Sequence, residues 1–191
     1  MSHMLVLSHP DPASLNHAIA SRISTVFGEE GRPLWIHDLY AEHFEPVMEN
    51  EELLRRFSFD DLYTHHVQHL REATGIILVY PDWWGMPPAI LKGWIDRMLR
   101  PGLAFDFVGQ EFLRKEKVPL LSGKKVLVIS TTNETNPLSQ EAMCHLWRER
   151  VFGYVGIEDV TFRILYGVRE ATRRQRRRWL TDLDELLRRW M

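Results

Sequence analysis

The sequence lacks several features that would place it outside the ordinary globular proteins. Its single cysteine, Cys144, excludes an intrachain disulfide and fits a reducing compartment such as the cytoplasm. No apolar run approaches the roughly 18 residues that span a membrane, and no secretory signal pattern is visible. The formal net charge is only −2, so the basic face that nucleic-acid binding usually needs is missing. We therefore expect one cytoplasmic domain over residues 1–191 that does not bind nucleic acid.

Nucleotide and metal motifs with fixed spacing are missing as well. Neither G-x-G-x-x-G nor G-x-x-x-x-G-K-[ST] occurs, which argues against a dinucleotide-binding Rossmann domain and against a P-loop. His65 and His69 stand four residues apart, a spacing that puts two metal ligands on one helix face, and His66 is adjacent. Because no H-E-x-x-H motif surrounds them, we interpret all three as surface histidines and predict no metal.

Strand-like and helix-like patterns alternate along the chain. Apolar runs predict five strands, at 5–7, 33–37, 76–80, 126–130 and 157–165. Helical spacing predicts six helices, at 15–26, 51–57, 60–73, 88–99, 138–151 and 169–190. Residues 103–122 have no clear period and are interpreted as a long functional or interface loop. The alternation predicts an α/β fold: a five-stranded parallel sheet with helices on both faces, in the doubly wound order of flavodoxin.

Three loops of this predicted sheet, 8–16, 81–87 and 131–137, follow its first, third and fourth strands. In a doubly wound sheet such loops meet at one edge, where ligands bind. In the first loop, Ser14 can cap the helix that follows. The free N–H groups of that helix, together with His9 and Asn16, can then hold a phosphate. The alternative is that Ser14 only caps the helix and that His9 only bonds a turn carbonyl.

Aromatic and polar groups occupy the other two loops. Trp83 and Trp84 stand at a strand end, which suits packing on a flat ring, and Gly85 lets the backbone approach a ligand. Polar groups for the edge of such a ring are offered by Thr131, Thr132, Asn133 and Glu134. The alternatives are that the tryptophans belong to a core or a dimer interface and that the polar loop is merely solvated. The convergence of three such loops favours a site for a planar cofactor.

Longer motifs around these loops resemble the NAD(P)H:quinone oxidoreductase family of flavodoxin-like flavoproteins, which includes ancillary subunits of potassium efflux systems. The resemblance covers most of the chain. Its most specific part is Pro81-x-x-Trp84, which continues into the segment 88–97. The family pattern is also followed by the segments 8–16, 37–40, 44–46, 102–107 and 123–125.

The resemblance implies a flavin enzyme. In that family a non-covalent FMN or FAD takes a hydride from NAD(P)H and passes two electrons to a quinone or similar acceptor. The flavin carries this chemistry, so no protein residue is assigned as catalytic. Matching positions assign the phosphate and ribityl contacts to His9, Ser14, Leu15 and Asn16. They assign the ring contacts to Pro81, Asp82, Trp83, Trp84, Thr131 and Thr132, with Gly85 and Met86 in the same turn.

The third loop departs from the family pattern. The well-studied quinone reductases continue Thr-Thr with Gly-Gly and then supply a Tyr and a His, whereas this chain continues with 133–137 and has no further His until His145. We therefore do not assign the roles of that Tyr and His here. The family usually forms a homodimer with the site at the interface, and the segment 101–119, with Phe105 and Phe107, is our prediction for what covers the neighbour's flavin.

Two other functions are weighed against the enzyme. The resemblance also allows a regulatory subunit of a membrane transporter that senses flavin or nucleotide. The arginine-rich segment 169–178 would then be its docking face, although such a segment is also typical of a solvated helix. A one-electron carrier of the flavodoxin type is disfavoured, because such carriers are typically strongly acidic and this chain is nearly neutral.

Overall fold

The strands and helices of the chain alternate as predicted. The computed structural model describes residues 2–55, 58, 60–109 and 116–191. Its strands are β1 (Ser2–Leu7), β2 (Leu34–Asp38), β3 (Ala73–Pro81), β4 (Phe105–Val108), β5 (Glu116–Pro119), β6 (Lys125–Thr131) and β7 (Asp159–Leu165). Its α-helices are α1 (Leu15–Glu29), α2 (Asn50–Arg55), α3 (Asp61–Glu72), α4 (Ala89–Met98), α5 (Glu141–His145) and α6 (Arg173–Trp190). Within these ranges no helix is both long and apolar enough to cross a membrane.

Five of the strands form one parallel sheet in the order β2-β1-β3-β6-β7, which confirms the predicted doubly wound fold. The register places Leu7 beside Val79 and Pro81 beside Thr131. The chain therefore leaves β1, β3 and β6 at the same edge of the sheet, and the loops that follow these strands lie next to one another.

The sheet separates two apolar cores, because successive side chains of a strand point to opposite faces. Helices α3 and α4 cover one face, where Met4, Ile76, Leu78, Val126, Val128 and Trp94 are buried. Helices α1 and α6 cover the other, where Leu5, Ile77, Val79, Leu127, Ile129 and Leu183 are buried. Strands buried on both faces read as continuous apolar runs, which is why the sequence located β3 and β6 well.

A two-stranded antiparallel hairpin replaces part of the loop predicted at 103–122. Strands β4 and β5 pair from Phe105 opposite Pro119 to Val108 opposite Glu116. Strands of four residues are too short to establish a period, so the prediction of an irregular loop was wrong for these residues. Phe112, from the same predicted loop, and Phe57, from the predicted second helix, lie outside the described residues.

The helix predicted at 138–151 is not continuous. A 3₁₀ turn, Pro137–Gln140, precedes α5, and a π-helical segment, Leu146–Phe152, follows it. In a π turn residues five apart come onto one side, and here this brings Trp147 and Phe152 into the core with their rings 5.3 Å apart. A packing requirement of this kind leaves no local signal in the sequence.

The last helix also starts later than predicted, at Arg173 rather than Arg169. The chain first turns at Gly167, whose φ of 63° is the left-handed conformation that glycine adopts readily. Thr172 then caps α6 by accepting a hydrogen bond from the N–H of Gln175 over 3.2 Å.

Candidate functional site

The three polar loops that were predicted to meet do so at the carboxyl edge of the sheet. Asn16, buried at the start of α1, donates through Nδ2 to Oγ1 of Thr131 over 3.0 Å. The N–H of Asp82 donates to the carbonyl of the same Thr131 over 2.8 Å. The ring centroids of His9 and Trp83 lie 6.2 Å apart. Each loop therefore contacts another, and the predicted convergence is confirmed.

The first loop presents a capped helix N-terminus. Ser14 caps α1 by accepting a hydrogen bond from the N–H of His17 over 3.3 Å. The first N–H groups of a helix have no partner inside it, and with the helix dipole they favour an anion. His9 accepts at Nδ1 from the N–H of Asp11 over 3.0 Å, so its ring proton is on Nε2. Burial lowers the pKa of His9, which keeps the ring neutral and leaves one N–H to donate.

Two residues that the sequence analysis missed hold this cap. Nδ1 of His17 lies 2.9 Å from Oγ of Ser14, and Nε2 of His17 lies 2.9 Å from the Asp38 carboxylate at the end of β2. The sequence does contain a signal for His17. In the pattern Ser-x-x-His it stands three residues after the cap, the position from which the Glu or Gln of a capping box bonds back to the cap residue. Asp38 has no comparable local signal.

The second loop is a tight turn that exposes two tryptophans. Trp83 and Met86 exchange backbone hydrogen bonds of 2.9 and 3.1 Å across it. Both central residues have positive φ, 60° for Trp84 and 75° for Gly85, as in a type I′ turn. The side chain of Trp84 is fully exposed and that of Trp83 is 42% exposed. The alternative that these tryptophans belong to the core is therefore wrong.

A hydrogen-bond network joins the second loop to the third. Oδ2 of Asp82 accepts from the Thr132 hydroxyl over 3.0 Å and from Nε2 of Gln140 over 2.8 Å. Gln140 is buried and was not singled out from the sequence, because its partner lies 58 positions away. Pro81, just before Asp82, is buried at the end of β3. The Asp82 carboxylate is thus occupied in fixing Thr132.

The remaining predicted site residues lie at the margins of this arrangement. Asn133 and Glu134 are exposed and are tied to the segment after β7: Oδ1 of Asn133 accepts from the N–H of Arg169, and the Glu134 carbonyl accepts from the N–H of Gly167. Leu15 is half-buried and packs on the core beneath α1. Met86, 44% exposed, closes the turn that holds the tryptophans.

The donor set of this edge fits a flavin. The N-terminus of α1, with His9 and Ser14, suits a phosphate, because it combines free N–H groups with neutral donors. The exposed indoles of Trp83 and Trp84 suit an aromatic ring system. Thr131 and Thr132 lie at the carboxyl end of β6 beside this turn, where their hydroxyls bond to Asn16 and Asp82.

A cavity of about 700 Å³ lies at the opposite, amino edge of the sheet, beside Thr74, Lys125 and Asp159. Its lysines are already used, because Lys124 donates to the Arg71 carbonyl over 2.9 Å and Lys125 to the Met191 carbonyl over 3.2 Å. Ligands of open α/β sheets bind at the carboxyl edge. This cavity is therefore not the candidate site.

The interpretation of the α3 histidines as surface residues needs correction. His65 is exposed, but His66 is fully buried and His69 is partly buried. The prediction was wrong for His66 because this residue packs between the core rings of Phe44 and Trp94, with Glu42 as its polar partner. Cys144, in contrast, packs against the core as predicted, and burial raises the pKa of its thiol, which disfavours a nucleophilic thiolate.

A family model described as a flavodoxin-like fold matches residues 1–187. The chain belongs to this family. An uncharacterized NAD(P)H oxidoreductase of Haemophilus influenzae is 32% identical over 86% of this chain and 83% of its own length. An FMN-dependent NADH:quinone oxidoreductase of Cereibacter sphaeroides is 28% identical over 89% of this chain and 81% of its own.

A solved structure extends the likeness to three dimensions. The NAD(P)H:quinone oxidoreductase from Methanothermobacter marburgensis superposes with a TM-score of 0.81 at 22% identity, over 98% of this chain and 96% of that one. At this identity the likeness concerns the fold. The predicted membership in a flavodoxin-like family is confirmed.

Proposed function

We propose that the protein is a flavin-dependent NAD(P)H oxidoreductase that passes two electrons by hydride transfer to a quinone or similar acceptor. The observation that carries the proposal is the turn Trp83–Met86, which presents two exposed indoles next to a helix N-terminus and a polar strand end. The names of the relatives support it, since one is an FMN-dependent NADH:quinone oxidoreductase. On the same ground we propose FMN as the flavin.

Different residues of the three loops would bind different parts of the flavin. Ser14, His9 and the N–H groups at the start of α1 would hold the phosphate, and Asn16 would keep this helix fixed to Thr131 through its 3.0 Å hydrogen bond. Trp83 and Trp84 would pack on the ring system and exclude water from it. Asp82, which accepts a hydrogen bond from Gln140, would hold Thr132 in place beside the ring by accepting from its hydroxyl. The bound flavin would supply the hydride chemistry itself.

We also propose a homodimer with the site at its interface. The candidate site is an open edge on one chain, since Trp84 is fully exposed. The hairpin of β4 and β5 adds exposed apolar side chains, Phe107 at 45% and Val108 at 50%, which a second chain would cover. Light scattering at micromolar concentration tests this, and a monomer there would contradict it.

We further propose that residues 1–191 act as one cytoplasmic domain, in keeping with a single, partly buried cysteine. No observation on the described residues favours the alternative of a transporter subunit. Copurification with an efflux protein would support the transporter-subunit alternative.

The test is an absorbance spectrum of the purified protein before and after addition of flavin, with the released cofactor identified by chromatography. Flavin bands that are bleached by NAD(P)H and restored by a quinone are expected. If the protein binds neither FMN nor FAD and remains colourless, it shares the fold of these relatives but not their function.

A pair of variants tests the placement of the ring. Trp84→Ala should weaken flavin binding or slow turnover, because it removes the most exposed aromatic surface of the site. Leu53→Ala is the matched control, because it removes an exposed apolar side chain of α2 outside the three loops. Equal flavin affinity and turnover in the two variants would contradict the placement.

A further inference from the structure

A second group of polar side chains lies between the end of β2 and helix α3. His37 belongs to β2, Glu42 to the loop that follows, and His66 to α3. Nδ1 of His37 lies 3.0 Å from one oxygen of Glu42, and Nε2 of His66 lies 3.1 Å from the other. One ligand atom from each of the three side chains lies within 4.8 Å of both others.

We propose that His37, Glu42 and His66 form a binding site for a divalent transition metal, with Zn²⁺ as the best fit. Two imidazole nitrogens and one carboxylate oxygen are a zinc donor set that leaves a fourth position open. Imidazole also selects Zn²⁺ and its neighbours over Mg²⁺ and Ca²⁺, which prefer oxygen ligands. Donors bound about 2 Å from one ion lie about 3.3 Å from each other in a tetrahedron, so three atoms that already lie within 4.8 Å of one another need only a small adjustment to bind it.

Burial and charge support the same site. The side chains of His66 and His37 are almost completely buried, whereas that of Glu42 is 26% exposed and gives access from solvent. Glu42 supplies the one carboxylate of the three side chains, and carboxylates bind metals in their deprotonated form. A dication at this position would neutralise its half-buried negative charge.

Metal binding through one nitrogen of an imidazole also changes the hydrogen bond made by the other nitrogen. A neutral histidine that binds a metal through one nitrogen carries its proton on the other. For His37 that proton would point at Nδ1 of His69, which lies 2.8 Å from Nε2 of His37. Without a metal, Nδ1 of His37 donates to Glu42 and Nδ1 of His69 donates to Nε2 of His37. Metal binding therefore requires both rings to exchange tautomers, and no proton is released in the exchange.

His66 is different, because its second nitrogen faces a donor that cannot become an acceptor. The indole N–H of Trp94, on α4, donates to Nδ1 of His66 over 2.9 Å, which places the proton of His66 on Nε2, toward Glu42. Metal binding at Nε2 moves this proton to Nδ1, so the Trp94 indole must give up its bond. Trp94 thus competes with the metal and sets the affinity of the site.

Titration calorimetry of the flavin-free full-length chain with Zn²⁺ tests the proposal without reference to the redox function. One Zn²⁺ per chain is expected to bind, with Mg²⁺ unable to compete. His37→Gln and Glu42→Gln should each weaken binding by at least the roughly 10–100-fold that losing an outer hydrogen-bond partner costs. His65→Gln is the control, because His65 is exposed, adjacent to His66, and not one of the three ligands.

Every outcome distinguishes a built site from surface binding. Equal Zn²⁺ affinity in His37→Gln and His65→Gln, or no binding to the unmodified chain, would overturn the proposal. Glu42→Gln keeps the size of the side chain and one acceptor oxygen, so it provides the comparison if a histidine variant does not fold.

Trp94→Phe adds a test that surface binding would not pass. It removes the competing donor while keeping an aromatic ring in the core, so Zn²⁺ should bind several-fold more tightly than to the unmodified chain. An affinity that does not change would contradict ligation through Nε2 of His66.

Discussion

At the scale of the residue, Trp84 combines two unfavourable properties at one position. Its φ of 60° is uncommon for any side chain other than glycine, asparagine or aspartate, and its large indole is fully exposed. Strained backbone and exposed apolar surface are both characteristic of ligand sites. Stability alone would favour a small residue here, which supports the proposed role of Trp84 in binding.

Trp84→Gly should therefore separate stability from function. It relieves a left-handed conformation that costs roughly 1 kcal/mol in a residue with a Cβ, so the free energy of unfolding should stay level or rise. Flavin affinity should fall, because the ring surface is lost. Urea denaturation and a flavin fluorescence titration measure the two effects.

Gly85→Ala is the natural comparison for that variant. An added Cβ at Gly85 meets nothing within 4 Å, but its φ of 75° disfavours alanine, so stability should fall without a steric clash. A fall in stability for Trp84→Gly as large as that for Gly85→Ala would show that the indole packs on the folded chain.

At the scale of the element, the position of α4 depends on how closely it approaches the loop after β2. A Cβ on Gly93 would lie 2.2 Å from the carbonyl oxygen of Pro46 and 2.4 Å from its Cβ, so the helix could not keep its place. Helix α4 begins directly after the turn that carries the tryptophans. Its packing therefore positions one side of the candidate site.

Gly93→Ala should destabilise the protein by about 2 kcal/mol or more, because steric overlap with backbone outweighs the ~1 kcal/mol that alanine gains over glycine in a helix. Gly28→Ala in α1 is the control, since a Cβ there meets nothing within 4 Å. It should leave stability unchanged or raise it by up to about 1 kcal/mol. Thermal melts of both variants provide the comparison, and equal shifts would contradict the close-packing argument.

At the scale of the whole molecule, the first strand and the last helix meet in a buried aromatic contact. The His3 ring of β1 lies 5.1 Å from Phe27 and 5.6 Å from Trp190. Within the described part of the chain, neither nitrogen of His3 has a hydrogen-bond partner. Burial, with smaller effects from Lys125 and Arg32, lowers the pKa of His3 to about 4.

Stability should consequently fall as the pH drops from about 6.5 to about 4. In that range the unfolded chain binds a proton at His3 and the folded chain does not, so protonation favours unfolding. The loss is on the order of 2–3 kcal/mol for a shift of this size. His3→Phe keeps the ring contacts and removes the titration, so urea denaturation between pH 4 and 7 should give it a flatter profile. Parallel profiles for the two proteins would contradict this assignment.

The sequence by itself determined the sheet, its order and the edge at which the three polar loops meet. Strands buried on both faces, such as β3 and β6, must be continuous apolar runs, and polar loops at their carboxyl ends must meet. Ser14, Asn16, Thr131 and the tryptophan turn were found for this reason, because their signals are local and their convergence follows from topology.

Only the tertiary structure decided the contacts that join distant segments. Gln140 reaches Asp82, and His37 and Glu42 meet His66, through packing that no local pattern records. The hairpin of β4 and β5 and the π turn before Phe152 likewise depend on what they pack against. The periodic spacing of apolar residues follows from helix and strand geometry, so it can be recognised in the sequence. A buried polar side chain instead lies where its hydrogen-bond partner is, and that partner can come from any part of the chain.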